Sequence, residues 1–284
     1  MKLLRYLSYA LGGVALLTII ALLVVYGLSE RALASARVSQ PLKLAQPTAA
    51  QVADGPHMLR VLGCQGCHGD KLQGENFLND PKLATVYAPN LTLLAAHSTD
   101  AQLDRAIRQG IGTDGRALII MPSQSYQFLS DQESAALIAA IRQFAKTGAE
   151  QPHRSIGPVG RIGLVSGKFF TTPQLAAQYR QTRLPNLGPQ FAAGRHFAEI
   201  KCSECHGPDL KGKEVEPGVV SSDLSIVGAY DLEQFKTLLR TGVPPSRKKL
   251  GLMAEVATSD FAHLTDEEIA DTHAYLAEWA RRQP

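Results

Sequence analysis

The chain has 284 residues, enough for about two domains with extra segments. A formal charge of +3, with lysine and arginine scattered and no aromatic platform, excludes nucleic acid as a partner. One tryptophan, Trp279, and few other aromatics leave modest apolar cores for domains of about 100 residues, so a bound group that completes the interior is expected.

Residues 1–6 form a short tail with Lys2 and Arg5, read as cytoplasmic. From Leu7 to Leu28 the sequence is uncharged and mostly apolar. At about 1.5 Å per residue this stretch reaches roughly 33 Å, enough for a bilayer core near 30 Å. A cleavable signal peptide has a shorter apolar region, although Leu33-Ala34-Ser35-Ala36 would suit a cleavage site. Residues 7–28 therefore predict an uncleaved transmembrane anchor. Arg31 and Arg37 follow the span, so the charge asymmetry favours an inside N-terminus only weakly. Residues 29–50, with Pro41 and Pro47 and no apolar period, read as a tether.

The pentapeptide Cys-x-x-Cys-His then occurs twice, as Cys64-Gln65-Gly66-Cys67-His68 and as Cys202-Ser203-Glu204-Cys205-His206. It is the attachment signature of covalent c-type haem. Residues three apart on a helix share a face, so both sulfurs reach one porphyrin and the next residue, His68 or His206, offers a nitrogen to iron. A lone Cys-x-x-Cys also suits a redox disulfide or half a zinc site. Two copies, each with its histidine, argue against both, because a zinc site would leave the histidines idle. These are the chain's only cysteines. Two covalently bound haem c groups follow. Their attachment on the outer side of the bacterial inner membrane puts the globular part in the periplasm.

The sequence around the motifs is duplicated, with a period of roughly 135 residues, too long for a solenoid. Met58 to Cys64 and Arg195 to Cys202 read as short helices leading into the motifs. Glycine-punctuated turns follow, Gly69 to Gly74 and Gly207 to Gly212. Ala106 to Gly110 and Leu238 to Gly242 read as helix ends stopped by glycine. Closing helices start at Ser130 and Thr265, with Glu133 and Glu268 completing capping boxes, and run to about Lys146 and Arg281. The domains span 51–148 and 189–284. Between them, 149–188 is rich in glycine and proline, and its apolar piece Val159 to Phe170 is expected to pack on one or both domains.

A sixth iron ligand is offered in each half. Met121 stands 57 residues after Cys64, and Met253 stands 51 after Cys202. Core packing is methionine's ordinary use, but the matched positions argue for ligation. Among the remaining histidines, His57, His97, His153, His196, His263 and His273, the one placed to compete for the second iron is His263.

Each half resembles a class I c-type cytochrome domain, which implies an all-α chain: two such domains in tandem behind one transmembrane helix. Ala88-Pro89-Asn90-Leu91-Thr92, Arg108-x-Gly110, Asp114-Gly115-Arg116 and Met121-Pro122 through Tyr126, Leu129 and Asp131 are similar to the cytochrome subunits of periplasmic alcohol, gluconate and aldehyde dehydrogenases. The resemblance implies that the Pro89 carbonyl accepts from His68, that Arg108 and, by internal match, Arg240 lie near haem propionates, and that Tyr126 packs or hydrogen-bonds beside the haem. Those subunits typically carry three haems, whereas this chain has two motifs. Domain 2 also has Ser221-Ser222-Asp223-Leu224 in place of Pro-Asn-Leu, and Ala254 after its methionine.

The function expected is electron transfer between a dehydrogenase or quinol-side donor and a terminal oxidase or soluble cytochrome, at the inner membrane. The alternative is a peroxidase-like dihaem enzyme with one open or displaceable iron, which needs a distal acid or base. A gas-sensing module is the third reading, and a six-residue tail carries no signalling domain.

Overall fold

A computed structural model of the chain describes residues 2–34, 44, 46–216 and 218–283. The N-terminal helix α1 (Lys2–Ala34) is long and apolar enough to cross a membrane. It does not stop at Leu28 but continues through residues expected in the tether. Its last turns are held from outside. Ser29 and Leu33 are buried, and Glu30 pairs with Arg116 and Arg161. The middle of the tether, with Pro41 and the Ser35-Ala36 pair, lies outside the described residues.

Domain 1 opens with α2 (Ala49–Val61), whose N-cap Thr48 and Gln51 form a capping box. Helix α3 (Cys64–His68) carries the first motif. A hairpin of β1 (Glu75–Asp80) and β2 (Ala84–Ala88) follows, then α4 (Leu91–His97), capped by Asn90. Helix α5 (Asp100–Asp104) runs on into a π-turn that Gly110 ends at φ +69°. Short α6 (Ser123–Tyr126) precedes the closing helix α7 (Asp131–Gln143). The expected capping box of Ser130 and Glu133 is formed, but the helix ends three residues before Lys146. Asn90 pulls the chain away by donating to the carbonyls of Thr147 and Ala149.

The intervening segment is ordered. Strand β3 (Ser155–Ile156) pairs with β2, α8 (Pro158–Val165) packs on the hairpin turn and on α1, and α9 (Thr172–Tyr179) packs on α6. Gln127 donates to the Ala176 carbonyl, and Tyr179 donates to the Ser203 carbonyl, so α9 ties both domains.

Domain 2 repeats the plan. Helix α10 (Ala192–Phe197) and a π-turn lead into α11 (Ser203–His206) with the second motif. A ribbon of β4 (Glu214–Glu216) and β5 (Val219–Val220) precedes α12 (Leu232–Thr241), which Gly242 ends at φ +71°. Then come α13 (Leu252–Ser259) and α14 (Asp266–Arg281), with the Thr265–Glu268 capping box as expected. The chain is mostly helical, and the short strands are additions to the helical plan. Their alternation escapes notice because β1 is exposed along nearly its whole length.

In each domain the helix before the motif crosses the closing helix at a glycine. A Cβ on Gly55 would stand 2.7 Å from Ala140 Cβ on α7, and one on Gly194 would stand 2.0 Å from the Asp271 oxygen on α14. These crossings fix the motif helices over two apolar clusters, one centred in each domain, with Ile200 reaching into the first and Val61 into the second.

Candidate haem centres

The loop after each motif is built the same way twice. Gly74 donates to the His68 carbonyl and Gly212 to the His206 carbonyl, each at 2.8 Å. Leu91 then donates to the Leu72 carbonyl, as Leu224 does to Leu210. Leu72 and Leu210 are fully buried and share a left-handed backbone, at φ +56° and +60°. Branched side chains rarely adopt it, so its recurrence marks a position the surroundings over-determine.

This loop aims the histidines. His68 Nδ1 lies 2.8 Å from the Pro89 carbonyl, as the resemblance implies. In domain 2 the partner of His206 Nδ1 is the Ser222 carbonyl, at 2.7 Å. The departure from Pro-Asn-Leu keeps the hydrogen bond, because the acceptor is backbone in both domains. A ring whose Nδ1–H is held by a carbonyl presents Nε2 as its free lone pair. Burial pushes both imidazoles below their ordinary value, against the carbonyls, so they stay neutral.

Around His68 an apolar cavity is lined by Cys64, Met121, Leu59, Leu62, Ile107, Tyr126, Leu137 and Ile141. Sulfur, imidazole and thioether therefore face one space. Met253 and Cys202 pack on the corresponding cluster of domain 2. Burial pushes the Cys64 and Cys202 thiols up to about 12, and raises Cys67 and Cys205 as well. These are the reverse of activated thiolates, which counts against a redox or zinc role. No cluster of three potential metal ligands occurs among the described residues.

Arg108 is buried. It donates to Asp104 at 2.6 Å, to Asp131 at 2.8 Å and to the Leu129 carbonyl. Its Nη2 is buried with no partner among the described residues. Arg240 makes the matching bonds to the Ala262 carbonyl and Asp266. Asp104 also accepts from Ser134 at 2.6 Å. Neither Asp104 nor Ser134 stood out in the sequence, although an acid four residues before Arg108 on a helix was a readable signal. The orphaned Nη2, the free Nε2 positions and the apolar cavity with its sulfurs all fit a haem carboxylate, iron and porphyrin.

The two centres adjoin. Tyr126 donates to the Leu62 carbonyl, two residues before Cys64. Lys201, immediately before Cys202, donates to the same carbonyl at 3.2 Å and pairs with Asp260 at 3.0 Å and Glu204 at 3.4 Å. Burial opposes the charge of Lys201, but Glu204 and Asp260 outweigh it and hold the ammonium above its ordinary value. Ser125 and Ser203 share a hydrogen bond of 2.9 Å across the same junction. Of the rival histidines, His263 is exposed and His273 is bonded to the Tyr230 carbonyl.

A family model described as cytochrome c matches residues 52–145 and again 191–279. The chain belongs to the cytochrome c family, with two copies of its domain, and membership implies covalently bound haem c and electron transfer. Among curated proteins it is 24% identical over 254 residues to the fructose dehydrogenase cytochrome subunit of Gluconobacter japonicus, covering 79% of this chain and 52% of that one. It is 24% identical over 265 residues to the cytochrome c subunit of a quinone alcohol dehydrogenase of Komagataeibacter europaeus, covering 80% and 55%. It is 24% identical over 269 residues to the gluconate 2-dehydrogenase cytochrome c subunit of Pantoea cypripedii, covering 81% and 60%. The chain thus spans little more than half the length of these relatives.

Proposed function

We propose that the protein is a membrane-anchored dihaem cytochrome facing the periplasm, which passes electrons between a dehydrogenase or quinol-side donor and an oxidase or soluble cytochrome. The observation that carries this reading is the matched pair of His–carbonyl and methionine positions, one in each domain, around apolar clusters. Haem c bound there supplies a one-electron ferric–ferrous couple.

The chain's own residues do the rest. Cys64 and Cys67, with Cys202 and Cys205, would hold each group covalently. His68 with Met121, and His206 with Met253, would supply the iron ligands of the two centres. A thioether ligand favours the reduced state and raises the potential relative to a second histidine. Arg108, with its unpartnered Nη2, and Arg240 would be placed to pair with haem carboxylates, where a cation is favourable. Leu59, Ile107, Leu137 and Ile141 exclude water from the first centre. The junction at Leu62, Tyr126, Lys201 and Ser203 brings the motif segments of the two domains together, which suits transfer between them. The relatives serve dehydrogenases, which supports a dehydrogenase as donor.

Methionine in both domains counts against the peroxidase-like alternative, which needs an open iron with a distal acid or base. The test is haem quantification with the ferric absorption spectrum, read at the long-wavelength iron–sulfur charge-transfer band. Two haems per chain, with Met121→Ala and Met253→Ala each removing half the band, are expected. High-spin iron in the unmodified protein, or an intact band in Met253→Ala, would overturn the paired assignment and favour the enzyme.

A further inference from the structure

We infer that the outer face of α8, with the turn that follows it, is a lipid-docking surface that seats the globular part on the membrane beside the N-terminal helix. The inference rests on the reading of α1 as a membrane anchor.

Helix α8 has two unlike faces. Gly160 and Gly163 are buried, and Gly160 lies so close to Leu83 that a Cβ would meet its carbonyl oxygen at 2.2 Å. The Gly160 side packs on domain 1, and Gly163 is covered by the Phe169 ring. On the other side Val159 is 53% exposed and Ile162 54%, with Val165 exposed beyond them, and in the turn after the helix Phe170 and Phe169, whose ring lies over Gly163, are exposed as well. Clustered apolar exposure of this kind marks an interaction surface.

The position of α8 along α1 identifies what covers it. The Arg161 guanidinium sits 4.3 Å from the centre of the Tyr26 ring, donates to Ser29 Oγ at 2.7 Å and pairs with Glu30 at 2.9 Å. Tyr26 to Glu30 is where the apolar run from Leu7 to Leu28 ends, so it is the level at which the helix leaves the hydrocarbon. Helix α8 is therefore fixed at the bilayer boundary, and its open apolar side needs no approaching protein to be covered.

Charge points the same way. From Gln151 to Ala198 the sequence contains no Asp or Glu, and around α8 it carries Arg154, Lys168 and Arg161, the last of these paired with Glu30. Lys168 is exposed between the apolar residues. An apolar face with a basic complement suits an interface of anionic lipid. The seat would also fix the first centre relative to the membrane. Ala117 donates to the Leu33 carbonyl and Thr172 to the Leu118 carbonyl, so the segment leading to Met121 is tied both to α1 and to α9.

The test uses the full chain in vesicles of phosphatidylcholine and phosphatidylglycerol, doped with a phospholipid bearing a diazirine near the top of its acyl chain. After illumination, lipid adducts are mapped by peptide mass spectrometry. Labelling of α1 and of residues 158–170, several-fold above that of the exposed domain 2 residues Ile226 and Val243, is expected. Labelled α1 with residues 158–170 no higher than Ile226 and Val243 would overturn the docking surface while leaving the anchor standing. Unlabelled α1 would overturn the anchor and the docking surface together. The exposed-site variant Ile162→Glu/Phe170→Glu should lose most of the 158–170 labelling and keep that of α1, and unchanged labelling of the segment would also overturn the inference.

Discussion

His206 takes its hydrogen bond from chain geometry and not from side-chain identity. Its acceptor is the carbonyl of exposed Ser222, so Ser222→Ala should leave the domain 2 absorption bands unchanged and alter stability by no more than about 0.5 kcal/mol. Lys201 is the opposite case. It is buried among Asp260, Glu204 and the Leu62 carbonyl, and removing one partner of a buried ion cluster costs about 3–5 kcal/mol. Lys201→Met should show that loss in denaturant unfolding, and Lys201→Met/Asp260→Asn should recover part of it. The Cys and His positions stood out because Cys-x-x-Cys-His fixes residue type and spacing, whereas the methionines, 57 and 51 residues on, stood out only by their matched place in the two halves. Lys201 did not, since nothing in one dimension shows that residue 201 lies against residue 62.

Helix boundaries were readable wherever capping chemistry sets them. Ser130 with Glu133, Thr265 with Glu268, and glycine stops at Gly110 and Gly242 all act locally, within one turn. The end of α7 was misplaced because Asn90, some 50 residues earlier, draws Thr147 off the helix axis. The crossings at Gly55 and Gly194 were missed for a related reason: an interior helix glycine is usually only a weak spot, and its partner lies on a distant helix. These crossings make unequal demands. A methyl at Gly55 meets Ala140 Cβ and the Ala136 oxygen at 2.7 and 2.8 Å, whereas at Gly194 it meets a backbone carbonyl at 2.0 Å that cannot turn aside. Both Gly→Ala variants overpack, at about 1–3 kcal/mol, and Gly194→Ala should be the more damaging in urea unfolding. Equal losses would show that α10 slides along α14 to escape the clash.

At the scale of the whole molecule the two domains exchange a reciprocal pair of contacts. His57 on α2 bonds Glu268 on α14, at 2.9 Å, and His196 on α10 bonds Glu133 on α7, at 2.8 Å. Glu133 caps its own helix with one oxygen and holds His196 with the other, while Glu268 caps α14 with the oxygen 3.1 Å from His57 and offers His57 its second oxygen at 2.9 Å. Burial disfavours the Glu133 and Glu268 carboxylates, but the histidine bonds and the cap donors outweigh it, and both sit below their ordinary value. A carboxylate lowered on folding contributes stability above its unfolded pKa, near 4.5, and loses it as pH falls through the lower folded value. The contribution is therefore level through neutral pH and disappears in acid below about 4.5. Gln at either position keeps one acceptor oxygen for two tasks, so Glu133→Gln and Glu268→Gln should each cost about 1 kcal/mol at pH 7, given solvent screening. The decisive comparison is denaturant unfolding of the double variant and the parent at pH 7 and again near pH 3.5. The difference should be clear at pH 7 and shrink in acid, where the parent's own carboxylates protonate. An undiminished difference in acid would mean that the glutamates act through packing, and that the paired contacts do not hold the domains by charge.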